Sequence, residues 1–260
     1  MTTEQVLVAI EGDLATVTLD RPDRRNALSE SMLRDLGAAM TRAASAPGVR
    51  AIVLAASGPV FSSGHDFSDM IDRDVDAMRR LLGVCTEVML GLARLPVPVV
   101  ARVQGIATAA GCQLVASCDL AVAVEEASFA TPGGRGGWFC HTPLVAVARA
   151  IGPRRALELG MTGDAIDART ALAWGLVNRV VPRALLVTET EALARAASRG
   201  SLASKALGKR TFYRQIDLDL EAAYAEAVDI MAQSAVTPDG REAMRAFVEK
   251  RAAVYPPIRS

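Results

Sequence analysis

No excess charge of either sign is present: 29 Lys and Arg balance 29 Asp and Glu among 260 residues. Such a chain has no overall basic field to draw in nucleic acid or an anionic membrane, so any anionic ligand must be held by local groups. Long apolar runs are missing too. A stretch such as residues 95–101 is short and interrupted by Pro96 and Pro98, whereas a bilayer span needs roughly 20 apolar residues. The four cysteines, Cys85, Cys112, Cys118 and Cys140, form no CxxC pair, which argues against a zinc site and against a disulfide framework. The same usage fits a reducing compartment, and a cytoplasmic location is the expectation. The first 13 residues carry Glu4 and Glu11 and no basic stretch ahead of an apolar one, unlike a secretory signal. Histidine occurs only twice, and aromatic residues make up only 4% of the chain.

What is present is an ordinary globular composition, 51% hydrophobic and 22% charged, in a length that suits one α/β unit with a helical appendage. Residues 5–10 and 14–19 flank Glu11-Gly12-Asp13 and read as a hairpin. Ser29 can cap a helix carrying Met32, Leu33, Leu36 and Met40 at helical spacing. A buried strand is predicted over 51–56, then a long helix over 70–93. Strands over 97–103, 120–124 and 128–130 follow, with a helix near 111–117 between the first two. Strand and helix alternate because parallel neighbours need a covering crossover. From residue 154 the pattern is mostly helical, with helices predicted over 154–159, 168–174, 184–198, 218–233 and 240–253 and one strand over 178–181.

Three stretches demand unusual backbone. They are Phe61-Ser62-Ser63-Gly64-His65-Asp66, Gly105-Ile106-Ala107-Thr108-Ala109-Ala110-Gly111-Cys112, and Gly133-Gly134-Arg135-Gly136-Gly137. Small residues at strand-to-helix junctions let a ligand approach peptide N–H groups, and a helix start adds its dipole. Tight turns and close packing use the same residues. The Gly-rich run has neither the GxGxxG nor the GxxxxGK[ST] spacing of a nucleotide loop.

In order along the chain, these stretches and their neighbours resemble the crotonase family, the enoyl-CoA hydratase and isomerase superfamily. Further marks are Leu19-Asp20-Arg21-Pro22 with Asn26-Ala27-Leu28, Pro96-Val97-Pro98-Val99-Val100-Ala101, Gly111-Cys112-Gln113-Leu114 with Cys118-Asp119, Ala173 with Gly175-Leu176-Val177, and Phe247-Val248-Glu249-Lys250-Arg251. The resemblance covers nearly the whole chain. It implies an α/β fold, a spiral of repeated ββα units over 1–200 followed by a helical trimerisation region over 201–260, in a homotrimer or a dimer of trimers. It implies acyl-CoA or enoyl-CoA thioesters as ligands, with coenzyme A entering as substrate and no resident cofactor or metal. By position, the N–H groups of His65 and Ala110 would form an oxyanion hole, where one donor is typically worth about 3 to 4 kcal/mol of barrier. Ser63, Asp66, Phe67 and Ser68 would meet the coenzyme, and Lys250, placed on the C-terminal helix, would reach its phosphate.

The departures matter as much. The two hydratase glutamates fall on Gln113 and Gly133; a carboxamide is no base near neutral pH, and glycine has no side chain. Three readings follow. Another nearby group, His65, Asp66, Cys140 or His141, could move the protons. The site could perform chemistry that needs mainly carbonyl polarisation, such as thioester hydrolysis or decarboxylation. Or the protein could carry or sense acyl-CoA without changing it. Met70, Met78 and Met89 read as core or acyl channel, Trp138 and Phe139 as pocket residues, and Arg135 as an ion-pair residue or a reader of an acidic acyl group.

Overall fold

A computed structural model describes residues 5–255. The chain opens with an antiparallel hairpin, β1 (Val6–Glu11) and β2 (Leu14–Leu19), registered Val6 on Leu19 through Glu11 on Leu14. Helix α1 (Glu30–Ser45) follows, its N-terminus held by the Ser29 hydroxyl accepting from Met32 N–H at 3.2 Å. Met32, Leu33, Leu36 and Met40 are all buried, as their spacing predicted.

A unit then repeats. Strands β3 (Ala51–Ala56), β5 (Val99–Val103) and β7 (Leu120–Val124) enter a large sheet. Each is followed by a short strand, β4 (Val60–Ser62), β6 (Ile106–Thr108) or β8 (Ser128–Ala130), that enters a small one. Each pair is followed by a helix, α2 (Val75–Arg94), α3 (Ala110–Ser117) or α4 (His141–Ile151). This is the expected spiral of ββα units. The large sheet runs β1-β2-β3-β5-β7-β10, parallel from β2 onward, with β10 at Arg179–Val181. The small sheet runs β4-β6-β8-β9, with β9 (Ile166–Asp167) antiparallel to β8. Strand β3 is apolar throughout and buried at five of its six residues, as a parallel strand covered on both faces must be.

The remaining helices are α5 (Pro153–Thr162), α6 (Ala168–Trp174), α7 (Leu186–Ala197), α8 (Leu202–Gln215), α9 (Leu220–Ala235) and α10 (Pro238–Val248). Three differences from the sequence reading have physical causes. The long helix starts at Val75 and not at residue 70, because Asp74 caps it by accepting from Ala77 N–H at 2.7 Å. The residues before it are tied down by Arg73, which meets Asp69 at 3.0 Å and Glu30 at 2.6 Å. Helix α8 has no counterpart in the sequence reading, for its apolar residues are few and set among Lys and Arg without a regular stripe. Lys250 lies beyond the end of α10, in a left-handed conformation at φ 54°, and so is not a helical residue.

Candidate functional site

The three unusual backbone stretches converge. The path that continues from β4 runs between Leu28 on one side and the start of α3 on the other. On the first side, Leu28 N–H donates to Gly64 O at 2.8 Å and Leu28 O accepts from Asp66 N–H at 3.3 Å. This parallel bridge turns the N–H of His65 away from Leu28. On the second side, Gly64 backs directly onto the helix start. A Cβ at Gly64 would sit 2.9 Å from Ala109 Cβ and 3.2 Å from Ala110 N, and its φ is +89°. Glycine permits both the turn and the close approach.

Ala110 is the first residue of α3, so its N–H has no partner within the helix. The preceding Ala109 holds φ 50° and ψ −118°, a conformation an L-residue seldom adopts, while its own N–H donates to Ala130 O at 2.9 Å. Among the described residues, neither the His65 nor the Ala110 N–H has an acceptor. Both residues line a cavity of about 340 Å³. Ser63, Phe67, Leu82, Pro132, Gly133, Trp138, Phe139, Cys140 and His141 also line it.

The imidazole of His65 has Nδ1 3.4 Å from Leu28 O, and Nε2 is buried without a partner. Burial lowers its pKa, offset only in part by the Leu28 carbonyl and the charge of Asp69, which favours the uncharged ring. Asp66 does not line the cavity. Burial raises its carboxyl, but the Ser68 N–H and the guanidiniums of Arg24 and Arg21 outweigh that and hold it below the usual carboxylate range. It is an ionised group already paired, unsuited to taking a proton. Ser68 accepts from Arg24 at 2.8 Å through its hydroxyl. Phe67 reaches the cavity mouth, packed edge-on to Trp138 with ring centroids 6.2 Å apart.

Gln113 is buried on α3 with Oε1 unpartnered, and so is the Thr131 hydroxyl, which no motif in the sequence singles out. At Gly133 there is no room for any side chain: a Cβ would lie 2.1 Å from Trp138 O and 2.8 Å from Cys140 Sγ. Cys140 Sγ accepts from Gly133 N–H at 3.3 Å, and burial pushes its thiol up. Cys112 is wholly buried, its thiol pushed up to about 12, and is inert as a nucleophile. Of the apolar segment before and along α2, only Leu82 reaches the cavity; Met70 and Met89 are buried in packing. Arg135 pairs with Asp164 at 3.0 Å and is not among the residues that line the cavity. Lys250 is exposed.

These stretches and this spiral have known counterparts. The enoyl-CoA hydratase/isomerase family matches residues 9–256. The chain belongs to that family. A mouse relative, enoyl-CoA hydratase domain-containing protein 3, mitochondrial, is 44% identical over 245 residues, covering 93% of this chain and 81% of that protein. Among solved structures, an enoyl-CoA hydratase of Mycobacterium smegmatis superposes with a TM-score of 0.92 at 47% identity, covering 96% of this chain and 98% of the other. The human enoyl-CoA hydratase domain-containing protein 3 superposes with a TM-score of 0.92 at 42% identity, covering 96% and 100%. The crotonase resemblance and the α/β fold it implied therefore hold. The cytoplasmic expectation does not: the mouse, rat and human relatives are each named mitochondrial. Free buried cysteines are compatible with more than one compartment and do not single out the cytosol. Among the described residues no helix is long and apolar enough to cross a membrane.

Proposed function

We propose that this crotonase-family chain binds acyl-CoA thioesters and polarises their carbonyl between the N–H groups of His65 and Ala110. The observation that carries the reading is that both donors border one cavity with no acceptor of their own. Fixed donors aimed at an oxygen that gains charge need no rearrangement during reaction. Main-chain groups from Ser63 to Ser68 would take the pantetheine and adenine parts, and the exposed Lys250 the phosphate. Exposed Phe212, Leu220, Tyr224, Val228 and Met231 on α8 and α9 give the chain an apolar face that suits a homotrimer.

Hydration of an enoyl thioester is the activity the family name carries, yet a second reading has specific support. Gln113 stands where one hydratase carboxylate belongs, and the space at Gly133 is filled by Trp138 O and Cys140 Sγ. Carriage of acyl-CoA without turnover, or hydrolysis or decarboxylation driven by carbonyl polarisation, fits that arrangement better than two-carboxylate hydration. The test pairs two measurements on the purified protein. Crotonyl-CoA is followed for loss of its conjugated absorbance, and a non-reacting conjugated thioester is titrated for a red shift on binding. A red shift without hydration supports the polarising, non-hydratase reading. Rapid hydration overturns it, and absence of any red shift overturns the N–H pair.

A further inference from the structure

We propose that the acyl group accepted here carries a flat aromatic ring, held by Phe67 and Trp138 at the cavity mouth. This rests on the acyl-thioester reading above. The chain has only eleven aromatic residues, six Phe, three Tyr and two Trp, and two histidines. Phe67, Trp138 and Phe139 and both histidines line this one cavity. Phe67 is 69% exposed and Trp138 44% exposed, their rings 6.2 Å apart and inclined at 61°. Phe139 sits 5.2 Å from the His141 ring at 58°. Large aromatic faces left wet around a concave site are where a ligand ring gains edge-to-face and offset-stacked contact beyond simple burial.

The alternatives are less well served. A long flexible alkyl chain is best matched by adaptable Met and Leu side chains, but Met70 and Met89 are packed away and only Leu82 reaches the cavity. An acidic acyl group needs a cation, and among the described residues no Lys or Arg lines the cavity; Arg135 is paired with Asp164 at 3.0 Å. At about 340 Å³ the cavity is small for a ligand site, near the lower end of the roughly 300–1,000 Å³ such pockets span. A compact ring suits it better than an extended chain.

The test compares 3-phenylpropanoyl-CoA with 3-cyclohexylpropanoyl-CoA, thioesters of the same carbon skeleton that differ in the flatness of the ring, by calorimetric titration of the full chain. Two aromatic contacts, each worth several-fold, give an expected preference for the phenyl compound of about tenfold. Replacing both walls, Phe67→Leu with Trp138→Leu, brings the ratio of the two affinities close to unity, whatever affinity both compounds lose together. Trp138→Phe, which keeps a ring, retains most of it and guards against a folding artefact. In a Trp174→Phe background, the phenyl compound also quenches the remaining Trp138 emission more than its saturated twin. Equal binding of the two thioesters, or a preference that survives loss of both aromatic walls, overturns this inference alone. Binding of neither overturns the acyl-thioester reading with it.

Discussion

Ala109 shows how much a single residue can carry without announcing it. Its φ of 50° and ψ of −118° orient the peptide that presents the Ala110 N–H, and holding an L-residue there costs about 1 to 3 kcal/mol. Ala109→Gly is therefore expected to raise stability by about 1 kcal/mol, read as a higher urea midpoint with an unchanged slope. Gly133 is the opposite case. A methyl group 2.1 Å from Trp138 O cannot be absorbed without moving backbone, so Gly133→Ala is expected to lower stability by about 2 kcal/mol in the same measurement. Gly133→Glu together with Gln113→Glu would then fail to create a hydratase, with no gain in the crotonyl-CoA assay. The sequence tells that the carboxylate is missing at Gly133; it does not tell that Cys140 and the Trp138 carbonyl occupy the space where one would go.

At the scale of elements, α8 is joined to the core through one polar cluster. Lys209 Nζ meets Asp119 Oδ2 at 2.7 Å and donates to Leu92 O and Val97 O at 2.8 and 3.0 Å. Tyr213 donates through its hydroxyl to Asp119 Oδ1 at 2.8 Å. Asp119 also accepts from Val99 N–H at 2.7 Å, which ties the cluster to β5. Removing the ammonium leaves a largely buried carboxylate and two carbonyls uncompensated. Lys209→Met is expected to destabilise the chain by about 3 kcal/mol and Tyr213→Phe by about 1 kcal/mol in denaturant unfolding. Hydrophobic spacing could not reveal this helix, because its few large apolar residues, Leu202, Leu207 and Phe212, are set among Lys205, Lys209, Arg210 and Arg214 and form no regular stripe, whereas α9 carries one. Where an apolar stripe does meet the core, as in α1, the spacing and the Ser29 cap were legible from the residues alone.

For the whole molecule, the unpartnered apolar residues on α8 and α9 set the expectation. Leu220, Tyr224, Val228 and Met231 are each 65% exposed or more, and such a face in water favours association. Sedimentation is expected to give a trimer mass for the native chain, and Tyr224→Lys with Met231→Lys a smaller species that keeps the helical content of the native one. A native chain that sediments as a monomer would contradict the trimer.

Much of the fold follows from local chemistry. The paired runs around Glu11-Gly12-Asp13, the all-apolar β3 and the small residues after each short strand specify their elements through side-chain period, burial and backbone freedom, which neighbours in sequence decide. The family motifs, too, are strings of adjacent residues. The site is another matter. The proposed donors at His65 and Ala110 are peptide groups that every residue possesses, and their N–H groups come to one cavity because β4 and β6 lie side by side and Gly64 lets the two backbones touch. The commitment of Asp66 to Arg21 and Arg24, the pairing of Arg135 with Asp164 and the gathering of scarce aromatic rings around one cavity all join residues distant in sequence. Such contacts are set by how the layers pack, and so tertiary structure alone decided them.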